Sequence, residues 1–185
     1  MSMLVAARLP VGVVMTAAGV GKLRESAVAD AKAIIGYKIV SDDVATGLAC
    51  VLPGIELGLG LSLLTGLNSR FAAAGSGAML AGYTAALVHA LRKGIVTDCG
   101  CFGSLAASQV SWKLVARNAV LIAAATAVAV NEPDRATLDR YLSPAVRNSL
   151  SVVLLGGVAV GSLLDRLHSL GVLKSKEVGR EDHGY

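Results

Sequence analysis

Five runs of mostly apolar residues, separated by short polar segments, dominate the chain at about 4–21, 44–67, 71–91, 114–130 and 148–164. A helix needs roughly 17–25 predominantly apolar residues to cross the hydrocarbon core of a bilayer, and each run meets that length. Composition points the same way. Residues AVILMFWYC fill 54% of 185 positions, and the 21 glycines raise the apolar share to about 65%, against roughly 45–50% in a soluble domain. Charged residues are 16%, where roughly 25% is usual. That is too little polar surface to coat a soluble core, so the expected fold is an all-α integral membrane protein in which helices satisfy every backbone group internally.

The connections carry their own signals. Segment 22–43 holds both signs of charge, and Val28, Ala31, Ile34, Ile35, Ile39 and Val40 recur at near-helical spacing. It reads as an amphipathic interfacial helix, with a plain charged loop as the alternative. Pro53 either kinks the second span or marks its first turn. Asn68-Ser69-Arg70 makes a tight connection, while 92–113 and 131–147 are longer polar segments. Gly54-x-x-x-Gly58 and Gly157-x-x-x-Gly161 are expected as packing faces, because small residues let helices approach closely in lipid. Residues 174–185 read as a charged, disordered tail. At the N-terminus Ala17-Ala18-Gly19 resembles a cleavage site. The only early charge, Arg8, lies inside the apolar run, so a retained first helix is expected. Aromatics at 4% are too sparse to stack bases, which argues against nucleic-acid partners.

Alternate connections of a spanning bundle lie on the same side of the membrane. The loops after the first and third spans and the C-terminal tail share one side, here side B. Residues that are awkward in lipid gather there. Lys22 closes the first span, Cys50 and Glu56 sit in the entering half of the second, and His89 is near the end of the third. Asp98, Cys99 and Cys101 follow in the loop, and Arg117 and Asn118 open the fourth span.

Three cysteines cannot build a disulfide framework, but Cys99-Gly100-Cys101 is a chemical motif. Cysteines two apart bridge only if the chain turns back, which the positive-φ freedom of Gly100 permits. Such a ring is strained, and strained disulfides are labile and oxidising. The pair is therefore a redox-active dithiol, a metal-ligand pair or two reduced thiols in a tight turn. Asp98 should raise the neighbouring thiol pKa, whereas Arg92, Lys93 and Arg117 should lower it. Glu56 is either a first-turn carboxylate favoured by the helix dipole or the partner of Lys22 or Arg117. His89 is a candidate proton carrier or an ordinary interfacial histidine. Cys50 is a candidate resolving thiol or inert filler.

Gly19-x-x-Lys22-Leu23 closes span one, Leu52-Pro53-x-x-Glu56-Leu57 with Gly60 lies in span two, and Asp98-Cys99-Gly100-Cys101-Phe102-Gly103 follows span three. Trp112 and Arg117-Asn118 then start span four. In this order the motifs resemble the methylamine-utilisation protein MauE family of DoxX-related membrane proteins, over about residues 5–130. The resemblance implies a four-helix DoxX/MauE-like transmembrane bundle over 1–130. A polar connector and a fifth C-terminal transmembrane helix would follow over 131–173, then the tail. It also implies catalytic roles for Cys99 and Cys101, with Cys50 and His89 as further candidates. Lys22, Glu56, Asp98, Gly100, Phe102, Gly103 and Arg117 would support them.

The function so implied is a membrane thiol–disulfide protein that supports disulfide formation or maturation of an exported or membrane-bound partner. It is multi-pass in the cell membrane, and no cofactor or metal is called for. A non-enzymatic assembly subunit and a soft-metal-binding protein are the alternatives, the latter using two thiolates with His89 or Cys50. Of the 17 Lys and Arg residues, five (Arg8, Arg70, Arg135, Arg140, Arg147) fall on the opposite side, side A. The positive-inside rule thus places side B in the cytoplasm, whereas disulfide chemistry and the family resemblance place it outside.

Overall fold

The computed structural model describes residues 3–95, 109–131 and 143–181. Six helices follow one another: α1 (Met3–Arg24), α2 (Ala27–Gly36), α3 (Asp42–Thr65), α4 (Ser69–Arg92), α5 (Trp112–Asn131) and α6 (Pro144–Glu181). Among the described residues, four helices are long and apolar enough to cross a membrane, at Leu4–Arg24, Asp42–Thr65, Ser69–Arg92 and Trp112–Asn131. They match the first four expected spans. Phe71, Val120 and Val130 are exposed on them, as residues facing lipid must be.

The four spans close a ring in which α1 packs on α3, α3 on α4, α4 on α5 and α5 back on α1. Val11, Met15, Leu59, Leu63, Leu80, Leu121 and Val128 are among the residues that fill its centre. They lie at the middle of the bundle and in its side A half. Close approach of α1 and α3 depends on glycine. A Cβ at Gly19 would stand 2.7 Å from the Leu57 nitrogen, and one at Gly60 would lie 3.0 Å from the Gly12 oxygen.

α2 is a helix, not a charged loop. The Ser26 side chain caps it by accepting the Ala29 N–H at 3.2 Å, and Ala27, Asp30 and Ala31 are buried where it meets α3 and α6. The α3–α4 turn is sharp because two left-handed residues, one on either side of Leu67, redirect the chain. Gly66 has φ 77° with its N–H on the Ser62 carbonyl at 2.9 Å, and Asn68 has φ 47°. Pro53 lies well inside α3, which begins at Asp42. Glu56 is consequently a mid-helix residue, and its first-turn reading is excluded.

α6 covers the expected fifth span but is not one of the four candidate membrane helices. It lies antiparallel on the outer side of α3, where a Cβ on Gly54 would come within 2.7 Å of the Ala159 Cα. Among the described residues nothing lies within 4 Å of a Cβ position at Gly157 or Gly161, so that second small-residue motif packs on none of them. The helix also runs on to Glu181, past Lys174, where the tail was expected to start. No proline follows Pro144 to stop it.

Candidate functional site: a buried ionic cluster and the cavity beside it

Lys22 reaches from the last turns of α1 into the bundle and meets Glu56 of α3, Nζ to Oε1 at 2.5 Å. Glu56 is fully buried, at 0% exposure. From α4 the Tyr83 hydroxyl donates to the same carboxylate oxygen at 2.5 Å, and Lys22 Nζ stands 5.0 Å from the Tyr83 ring centroid. The ammonium is thus held by a carboxylate and by the negative face of an aromatic ring. Arg117 of α5 donates to Asn118 Oδ1 at 3.1 Å. Glu56, Tyr83, Arg117 and Asn118 all border a void of about 10 Å³, close to the least volume that admits one water. Four helices therefore contribute polar groups to one point.

A second ion pair adjoins the first. Arg166 of α6, 3% exposed, places Nη1 2.7 Å from Asp30 Oδ2 and 2.7 Å from the Ala49 carbonyl. Its Nη2 donates to the Lys22 carbonyl. Each acceptor has a reason to need a donor. Pro53 has no N–H, so the carbonyl four residues earlier, that of Ala49, lacks its helical partner. The Lys22 carbonyl belongs to the last turn of α1, where the Glu25 N–H reaches it at 3.1 Å and a second lone pair is left for the guanidinium. The Asp30 carboxyl is pushed above the ordinary carboxylate pKa by burial, and the hydrogen bond and charge of Arg166 offset part of that rise.

Between α2, α3 and α4 a cavity of about 460 Å³ opens beside this network. Its walls are mainly apolar, and Lys22, Asp30, Tyr83 and His89 border it. The room comes from the small side chains of α4 at Gly82, Ala85 and Ala86.

The predicted gathering of Lys22, Glu56, Arg117 and Asn118 is observed, with Lys22 as the carboxylate's partner. His89 borders the cavity instead of the ionic cluster. Cys50 is a buried free thiol, 2% exposed, not a lipid-facing one. Asp98, Cys99, Gly100, Cys101, Phe102 and Gly103 lie outside the described residues, and so does any approach of Cys50 to them. Three participants escaped sequence reasoning: Tyr83, Asp30 and Arg166. Their signal was a polar or charged group on an otherwise apolar helix, which in membranes marks an interior partner.

A ring of four apolar helices around buried, paired charges defines a polytopic helical-bundle membrane protein. Comparison with known sequences carries this further. The profile of the family described as methylamine utilisation protein MauE matches residues 1–131. The methylamine utilization protein MauE of Paracoccus denitrificans is 33% identical over 130 residues, covering 69% of this chain and 69% of that protein. Its counterpart in Paracoccus versutus is 32% identical over 133 residues, covering 71% and 66%. The chain belongs to the MauE family. No solved structure shows significant similarity to it. α6, and with it Arg166, lies beyond the family-matched segment.

Proposed function

We propose that this protein is a membrane thiol–disulfide protein that supports disulfide formation or maturation of a partner through Cys99 and Cys101. The names of its relatives point to a partner within methylamine utilisation. What supports the reading is the position of the connection that carries the dithiol. Its described flanks, His89–Arg92 of α4 and Trp112–Asn118 of α5, sit at the end of the bundle that holds Lys22, Glu56 and Tyr83. A rigid, charged platform under a loop is what a short dithiol needs to meet partner chains in one orientation.

In the forward reaction a partner thiolate attacks one sulfur of the Cys99–Cys101 bridge, forming a mixed disulfide and releasing the other cysteine as a thiolate. A second partner thiolate then attacks the partner's sulfur in that mixed disulfide. The partner keeps the new bridge, and Cys99 and Cys101 end reduced. Arg92, Lys93 and Arg117 would favour the thiolate form of whichever cysteine leaves, and Asp98 would oppose it. His89 is the candidate to carry the proton.

Acid trapping followed by mass spectrometry tests this. A reversible Cys99–Cys101 disulfide is expected, and a Cys99→Ser chain should assemble normally while its partner accumulates free thiols. Two fully free thiols under every redox condition would refute the reading. The assembly-subunit reading draws on a different observation, that Lys22, Glu56, Asp30 and Arg166 serve helix-to-helix pairs. It predicts that Cys99→Ser leaves partner maturation intact.

A further inference from the structure

We infer that the cavity between α2, α3 and α4 binds the head group of a membrane quinone. The inference rests on the redox reading above and supplies the oxidant which that reading requires.

The cavity's volume of about 460 Å³ falls among ordinary small-molecule sites, which span roughly 300–1,000 Å³ and combine apolar walls with a few convergent polar groups. The charges at its polar end are already balanced. Lys22 is paired with Glu56 and Asp30 with Arg166, two cations against two anions. An anionic phosphate would have to disturb one of these pairs, whereas a neutral head group would not. Hydrogen-bond donors remain. Lys22 has three N–H groups and spends one on Glu56, and the His89 imidazole makes no hydrogen bond or ion pair with the described residues. Tyr83 directs its hydroxyl proton to Glu56. The free donors suit a ligand that carries carbonyl acceptors and no charge. The walls contributed by Ile34, Ile39, Leu48 and Leu52 suit its apolar ring substituents and tail. A quinone has this chemistry, and it is soluble where the cavity lies.

The electron balance closes with it. Cys99 and Cys101 lose two electrons and two protons on forming their bridge. The quinone takes up both and becomes a quinol.

The test uses the full chain in phosphatidylcholine nanodiscs and an azido-substituted short-chain ubiquinone. Saturable photolabelling of α2 or α4 peptides, competed by decylubiquinone, is expected. Gly82→Phe should weaken it about tenfold or more, a difference of roughly one decade in Kd. A Cβ at Gly82 meets no atom of the described residues within 4 Å, so the ring can enter the cavity without displacing them, and an unchanged melting temperature checks this. His89→Ala should weaken binding while leaving the cavity open. Labelling that is unsaturable or indifferent to Gly82→Phe would overturn the inference. So would a phospholipid that native mass spectrometry finds retained in wild type, lost in Gly82→Phe and not displaced by decylubiquinone. The same binding is expected in a Cys99→Ser/Cys101→Ser chain. Absent binding in a chain whose thiols still cycle would sink the quinone site alone, and binding to a chain whose thiols never cycle would sink the redox reading alone.

Discussion

At the scale of residues, the decisive fact is that Lys22, Glu56, Asp30 and Arg166 each find an oppositely charged partner on another helix. Lys22 and Glu56 are 2.5 Å apart with the carboxylate fully buried. Breaking a buried pair from one side leaves an uncompensated charge and costs about 3–5 kcal/mol in soluble cores. Glu56→Gln and Lys22→Met are each expected to lower the melting temperature in detergent markedly, whereas Asp98→Asn should change it little. The double variant Lys22→Met/Glu56→Gln should be more stable than the sum of the two single losses implies, since neither charge is then stranded. Additive losses in that cycle would refute the pairing. Arg166 gives a second, independent cycle. It supplies the donor that Pro53 withholds from the Ala49 carbonyl. In a Pro53→Ala background that carbonyl regains its helical N–H. The loss caused by Arg166→Met should then shrink by about 1 kcal/mol, the net worth of one hydrogen bond.

At the scale of elements, α6 is attached through a backbone contact as well as through Arg166. A side chain at Gly54 would run into Ala159 and Ser162, so Gly54→Leu is expected to release α6 from α3. Limited proteolysis should then cut between residues 131 and 144 and free the C-terminal helix from the purified bundle. Gly161→Leu and Gly47→Ala are the controls, because neither position has an atom of the described residues within 4 Å of its Cβ site. Gly47→Ala should even stabilise α3 by about 0.5–1 kcal/mol, by removing a mid-helix glycine. If Gly54→Leu and Gly161→Leu behave alike, the α3–α6 contact is not what holds the helix.

At the scale of the whole molecule, four spans alternate in direction, which makes the sidedness testable from a few positions. With Cys50 buried, an impermeant maleimide should reach native Cys99 and Cys101 from the same face as Asp43→Cys at the start of α3. Arg70→Cys, at the start of α4, should label only from the other face. α6 runs antiparallel to α3 and brings Arg166 to the end of α1, about 33 Å along the helix from Pro144 at 1.5 Å per residue. A reporter at Ser143 is therefore expected to label with Arg70→Cys, making α6 a fifth crossing. Labelling of the Ser143 reporter with Asp43→Cys would leave α6 on one surface.

The order and approximate ends of the first four spans were legible in the chain, because lipid imposes a minimum apolar length that they display openly, whereas the expected fifth is not among the four candidate membrane helices. The gathering of Lys22, Glu56, Arg117 and Asn118 was legible too, since alternation of spans places their ends without any knowledge of packing. Which cation Glu56 takes was not, for it depends on how α1, α3 and α5 are rotated about their axes. Tyr83, Asp30 and Arg166 were hidden for the same reason. So was the freed Ala49 carbonyl, whose donor comes from a residue 117 positions away along the chain. The cavity exists only where small residues on α4 face larger ones on α2 and α3. Local sequence specifies that each helix forms and that it enters the membrane. Rotation, register and the voids between helices follow from long-range close packing, which only the assembled bundle decides.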